Sequence, residues 1–295
     1  MRMGTPLCTA LSRSGRSAAA GLACRAGLLS TMPCASMLVP SRAATTKQWL
    51  RRQISDPFVR QAVIDNYRSR AAFKLDYLAA KHRLFREGMV VLDLGACPGG
   101  WSQVAARCVA ASEGEGIVVS VDLQPIDPIP GVHFIQADVM SSETLDAIEI
   151  MIANTLRNRQ AEVSGRGSMH RISDIQAMKA QIGSPAKSAR VVDVVLSDMA
   201  PAFSGNRTVD VTRTTELCEM ALTVANRLLK KKGSLVCKFL QGESFNELRA
   251  LLEAHFETVM HVKPPASRKE STEMFLVCLK FKGPTAAGHI EATEK

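Results

Sequence analysis

The apolar run at residues 89–94 breaks abruptly into Gly95-Ala-Cys-Pro-Gly-Gly-Trp101, and residues 101–111 then read as a helix. Glycines cluster where a backbone must take positive φ or come unusually close to another group, so this turn joins a buried strand directly to a helix. The pattern then repeats. Residues 116–122 and 132–136 read as β-rich runs, 145–156 as a helix, and 191–197 as a strongly β-branched strand. A helix over 216–230, closed by Lys-Lys-Lys-Gly, precedes a strand at 234–239, a helix at 244–255 and final strands at 257–262 and 274–281. Upstream, an amphipathic segment runs from about Asp56 through residues 71–78. Alternation of this kind predicts an α/β chain with a mostly parallel sheet covered by helices on both faces.

Residues 157–190 break that rhythm. They are rich in Arg, Ser, Gly, Lys and Gln, bury little apolar surface, and read as an exposed insertion, partly helical around 172–181. The domain is expected over 46–283, with a disordered tail at 284–295. No apolar run reaches the roughly 20 residues that span a bilayer. The net charge is +9, yet eight of the 37 basic residues lie before Asp56, where there is no acid, leaving 29 basic against 28 acidic residues. Any nucleic-acid surface on the body is therefore a local patch. The acid-free leader, residues 1–45, fits a mitochondrial transit peptide and implies the matrix; a basic arm that grips RNA is the other reading. Eight cysteines form no C-x-x-C pair and no His/Cys cluster with zinc spacing, so neither a metal site nor a disulfide framework is expected.

The glycine turn departs from the G-x-G-x-x-G dinucleotide fingerprint. A pyrophosphate needs helix-terminus amides, whereas an adenosylmethionine has no phosphate and carries a sulfonium cation. The loop formed by Gly95, Pro98, Gly99, Gly100 and Trp101 therefore points to an adenosyl cofactor. Asp122 ends the second strand, where a carboxylate can accept both ribose hydroxyls. Asp138 follows the third and is placed to accept from an adenine amino group. Each acid alone is more readily a turn or helix cap; their joint placement after consecutive strands reverses that and favours the ligand. Lys74, Asp198, Lys238 and Glu273, each beside a strand end or loop, add to the cofactor loop a set suited to moving a methyl group onto a poorly acidic hydroxyl.

Ser69-Arg-Ala-Ala-Phe-Lys-Leu75, Asp93-Leu-Gly-Ala-Cys-Pro-Gly-Gly-Trp-Ser-Gln103, Ser197-Asp-Met-Ala-Pro201 and Ser267-Arg-Lys-Glu-Ser-Thr-Glu273 together resemble the FtsJ/RrmJ family of ribose 2′-O-methyltransferases, in particular its mitochondrial branch. The resemblance covers roughly residues 56–281 apart from the insertion. It implies a Rossmann-like sheet of seven strands whose last hairpin is antiparallel, and S-adenosyl-L-methionine as methyl donor. It also implies a Lys-Asp-Lys-Glu catalytic set at Lys74, Asp198, Lys238 and Glu273. For the cofactor it points to Gly99, Trp101, Asp122, Asp138 and Asp198. The implied substrate is a uridine of large-subunit rRNA; the nearly neutral body points to recognition inside a folded pre-ribosomal particle, and the chain is expected to be a monomer. Ala202-Phe203 stands where the family usually shows Asn after the proline, and Thr272 where bacterial members carry a basic residue.

In this reading Lys238 is the base or orienter for the 2′-hydroxyl, Lys74 the second cation, Asp198 the holder of the lysines and Glu273 the balancing charge. Alignment of oxygen, methyl carbon and sulfur supplies much of the rate, on the order of 7–11 kcal/mol in favourable intramolecular cases. Taken singly, Lys238 reads more readily as a snorkelling side chain and Glu273 as an edge-strand charge; the set beside a cofactor loop reverses that. Arg68, Arg70, Lys263, Arg268 and Lys269 flank these groups and form the expected phosphate-binding patch. A ribosome-assembly factor without chemistry, and a methyltransferase acting on tRNA or an mRNA cap, are the competing functions.

Overall fold

The computed structural model describes residues 54–158, 168–171, 190–268 and 270–284. Six α-helices and eight strands are described, in the order α1 (Pro57–Ile64), α2 (Ala72–His82), β1 (Val90–Leu94), α3 (Gly100–Cys108), β2 (Ile117–Asp122), β3 (Val132–Gln136), α4 (Ser142–Asn158), β4 (Ser168–Arg171), β5 (Val192–Ser197), α5 (Arg207–Leu228), β6 (Leu229–Leu240), α6 (Phe245–His255), β7 (Phe256–Val262) and β8 (Glu273–Phe281). They build one sheet ordered β4-β3-β2-β1-β5-β6-β8-β7. Every pairing from β4 to β6 is parallel, and β8 lies antiparallel to both β6 and β7.

Helices on both faces explain why β1 is buried at every position and reads as an unbroken apolar run apart from Asp93. Leu92, Leu94, Val119 and Val121 join α4, α5 and α6 in one core. Val91, Val118, Val194, Val236 and Phe275 face the other way and meet α2 and α3 in a second. Side chains alternate across each strand. Lys238 therefore shares the face of Val236, and Glu273 that of Phe275, which is the side carrying α2.

The sheet has eight strands where seven are expected. The extra one, β4, comes from within the expected insertion: Ser168–Arg171 pairs in parallel with His133–Gln136 of β3. A free edge offers unpaired N–H and C=O groups, and four residues without an apolar pattern suffice to pair with it. The expected helix at 172–181, the leader and the tail beyond 284 lie outside the described residues. Helix α5 starts at Arg207, nine residues earlier than expected, because the Asn206 side chain accepts from the amides of Thr208 and Val209. The helix also ends at Leu228, and the chain enters β6 at once; Lys232 takes positive φ there and the register shifts opposite Val192 and Val194.

Candidate active site

The strand ends from β1 to β6 point the same way, so their following loops share one edge of the sheet, where open α/β folds place ligands. After β1 the backbone hooks over β2: Gly95 and Ala96 donate to the Val121 carbonyl at 2.9 and 3.2 Å. Gly95 has φ +74, and a Cβ there would lie 2.5 Å from Met199 Cγ. Gly99 has φ +107 and precedes α3, its missing side chain leaving room for Ile129 and Arg68. Gly100 lies against the Ser69 hydroxyl. Packing inside the protein and positive φ thus constrain these glycines. The Cys97–Pro98 peptide is cis. Trp101 is 3% exposed, donates its indole N–H to the Ala71 carbonyl at 2.9 Å, and packs on Phe275 with ring centroids 5.5 Å apart. Its ring braces α3 against the start of α2 and β8.

Asp122 and Asp138 sit at the tips of β2 and β3, neighbours in the sheet. Each also orders its own turn, as short carboxylates do. Asp122 Oδ2 accepts from the Cys97 amide and Oδ1 from the Gln124 amide, both at 2.8 Å. Asp138 Oδ1 accepts from the Met140 amide at 2.8 Å. The cap and ligand roles are therefore compatible, since each carboxylate oxygen can accept a further hydrogen bond. Beside them Leu123 is 66% and Met140 59% exposed, two apolar side chains left in solvent at the same strand tips. Carboxylates for hydroxyls and apolar surface for a ring suit an adenosyl group.

Asp93, fully buried one residue before the end of β1, accepts from Ser102 Oγ at 2.7 Å through Oδ2. Burial pushes its pKa up to about 7, against the Ser102 hydrogen bond, and the charges of Asp198 and Asp122 push the same way. Asp93 is not among the candidate site residues above; a carboxylate inside an apolar strand is the signal that marks it.

Two lysine–carboxylate pairs complete the site. Lys238 and Asp198 come from adjacent parallel strands, one residue past the Ser197–Cys237 register pair. Lys238 Nζ donates to the Asp198 carbonyl at 2.6 Å. It also lies 3.0 Å from Asp198 Oδ1, an ion pair without hydrogen-bond geometry. Lys74 reaches in from α2, its Nζ 2.6 Å from Glu273 Oε1 and 5.5 Å from the centroid of the Phe275 ring. Glu273 pairs with Leu240 in the sheet, diagonal to Lys238 on the same face. Burial would raise the pKa of Glu273. The Lys74 charge, hydrogen bonds from Lys74 and Ser267, and the Lys238 charge overcome that and hold it below the ordinary value. Two cations and two carboxylates thus form one neutral, part-buried cluster.

The expected RNA patch is less free. Arg68 spends its guanidinium on the carbonyls of Asp127 (2.6 Å), Pro128 (2.8 Å) and Pro98 (3.4 Å), clamping the cofactor loop to its neighbour. Arg70 is bound to the Asp56 carboxylate and the Ala266 carbonyl. Lys263 donates to the Ser271 carbonyl at 2.8 Å. Arg268, 3.6 Å from Asp56, keeps 34% of its side chain exposed, against 17% for Arg70, and so is more open to a phosphate than Arg70. Lys269 lies outside the described residues. Asp56, which also caps α1 ahead of Pro57, had an Asp-Pro helix-start signal in the sequence but no visible partner.

A mostly parallel sheet closed by an antiparallel hairpin, with acids at two strand tips and a charge-balanced lysine cluster beyond them, defines a Rossmann-like methyltransferase. The model of FtsJ-like methyltransferases matches residues 67–281. A protein of Bartonella tribocorum named ribosomal RNA large subunit methyltransferase E is 39% identical over 242 residues, 82% of this chain and 85% of that one. A protein of the same name from Rickettsia bellii is 39% identical over 243 residues, 82% of this chain and 91% of its own. Among solved structures, a Plasmodium falciparum protein assigned as a ribosomal RNA methyltransferase matches 74% of this chain and 100% of its own, at 27% identity and TM-score 0.54. This chain belongs to the FtsJ-like methyltransferase family.

Proposed function

We propose that this chain methylates a ribose 2′-hydroxyl, that of a uridine, in large-subunit rRNA of the mitochondrion. One observation carries the chemistry: Lys74–Glu273 and Lys238–Asp198 meet as a single cluster at the strand ends, beside the loops suited to an adenosyl group. The names of the relatives in Bartonella and Rickettsia support the RNA class, and the acid-free leader supports mitochondrial import.

Asp122 and Asp138 would hold the adenosine part of S-adenosylmethionine, with Leu123 and Met140 beside the ring, while Asp198 and the backbone of the Gly95–Trp101 turn receive the methionine part. That cofactor supplies an electrophilic methyl group on a sulfonium. Lys238 donates to the Asp198 carbonyl, stays ion-paired with its carboxylate, and has N–H groups left for the ribose oxygen, which fixes one lone pair of that oxygen toward the methyl. Its role in proton removal requires a neutral amine; orientation requires only the ammonium. Asp198 holds Lys238, and Glu273 with Lys74 keeps a second cation beside the reacting oxygen without net charge. Arg268 offers a phosphate contact at the rim of the site.

The test uses the chain without its leader, methyl-labelled S-adenosylmethionine, and either naked large-subunit rRNA or the immature particle. A single labelled ribose 2′-O-methyl, more abundant on the particle and absent with Lys238→Ala, is the expected result. Label on a base, or on tRNA alone, would replace this reading with another.

A further inference from the structure

Glu273 is held by more than the lysine opposite it. Ser267, in the segment joining β7 to β8, donates its hydroxyl to Glu273 Oε1 at 2.9 Å, the same oxygen that Lys74 reaches at 2.6 Å. Ser267 is only 7% exposed, and its own amide donates to the Pro264 carbonyl at 2.9 Å, so the hydroxyl is fixed by its backbone. The preceding residue, Ala266, is 2% exposed, and its carbonyl accepts from Arg70. Arg70 stands just ahead of α2, the helix that carries Lys74. A single guanidinium thereby ties the base of the Lys74 helix to the loop that carries Ser267.

We infer that Ser267 is a positioning residue for the methyl transfer, acting through Glu273 to fix where the Lys74 ammonium sits, with the Arg70–Ala266 contact setting the spacing between the two donors. The inference rests on the functional reading above. A carboxylate oxygen that accepts from a lysine alone can rotate and carry the ammonium with it. An oxygen that also accepts from a backbone-fixed hydroxyl has its direction defined, and hydrogen bonds to charged groups are the stronger ones. The hydroxyl is also among the groups that hold the Glu273 carboxyl below its ordinary pKa against burial.

Two measurements test it on the full domain. In single-turnover assays Ser267→Ala should lower the rate constant about tenfold, with the KM for RNA and the affinity for S-adenosylmethionine unchanged. The same substitution in a Glu273→Ala background should cost less than about twofold, because the residue it acts through is gone. Independently of any substrate, the side-chain carboxyl carbon of Glu273, followed by carbon-13 NMR, should titrate at higher pH in Ser267→Ala than in the parent, while Ser267→Thr restores the parent behaviour. An unmoved Glu273 titration, or a full loss from Ser267→Ala in the Glu273→Ala background, would overturn the inference. A parent protein inactive on RNA would instead sink the functional reading and leave the NMR result to decide this one.

Discussion

Lys238 and Asp198 issue from the ends of two strands that are hydrogen-bonded neighbours, so the sheet itself fixes their separation. Lys74 and Glu273 come from a helix and from the first residue of the last strand; the ladder sets Glu273 opposite Leu240, but the helix that carries Lys74 is tied to it through side chains, Ser267 on the carboxylate and Arg70 and Asp56 behind. The first pair needs no support beyond its backbone. The second depends on a relay of polar contacts that span much of the sequence. Position in a ladder is the sturdier way to place a charge, and a relay is the more adjustable one.

The comparison breaks most clearly at Lys238. Lys238→Ala should lower turnover by about 10³-fold or more, within the range for a group that handles the reacting proton, with thermal stability close to the parent. Lys238→Arg keeps a cation but cannot give up its proton near neutral pH; substantial activity in that variant would assign Lys238 to orientation and exclude a base. Glu273→Gln should cost less, about tenfold to a hundredfold, since a neutral amide still accepts from Lys74.

Glu273→Gln also sharpens the contrast through pH. Glu273 keeps its charge to lower pH in the folded chain than in the unfolded one, so its pairing stabilises the fold above the ordinary carboxylate range. That contribution disappears as pH falls through the depressed value. A urea titration series from pH 7 down to 3 should show a shallower acid loss in Glu273→Gln than in the parent. An unchanged slope would mean the pair is not coupled to folding.

A smaller effect is expected at Asp56, the far end of the relay. Asp56→Ala frees Arg70 and Arg268 and removes the α1 cap, and should lower turnover a few-fold and stability by about 1 kcal/mol. No comparable remote residue should exist for Lys238. Asp93 gives the opposite sign of pH dependence. Its pKa, raised to about 7 from 3.8, means that the folded state binds more protons than the unfolded state between those values, so this group costs stability as pH rises through that window. Asp93→Asn should melt a few degrees above the parent at pH 8, with the gain shrinking toward pH 4; equal melting at both would show that the carboxyl is not strained by its burial.

The first region was the more legible in the sequence, for the same reason that it is the sturdier. The β-branched run ending in Ser197 and the apolar run around Lys238 mark strand ends, and strand ends place Asp198 and Lys238 without further information. The acids after β2 and β3 were equally readable. The relay was not, because a sequence shows that Arg70 is charged but not that its partners are Asp56 and a carbonyl near residue 266. Arg68 and Arg70 looked like phosphate ligands on that account. The front half of α5 has no helical signature, since Arg-Thr-Val-Asp-Val-Thr-Arg-Thr-Thr is rich in β-branched residues, and its helix is imposed by the Asn206 cap and by burial of Val211, Thr214 and Cys218. β4 has no pattern of its own and exists through its ladder with β3.

β8 enters the sheet between β6 and β7, although it follows both in the chain. A ribosome delivers the chain amino end first, so β7 has no place to dock until the residues behind it have emerged. Glu273, which opens that last strand, is the final member of the quartet to arrive. A chain clipped before β8 keeps both lysines and Asp198 but loses the carboxylate that faces Lys74, so the quartet closes only once the last strand has paired.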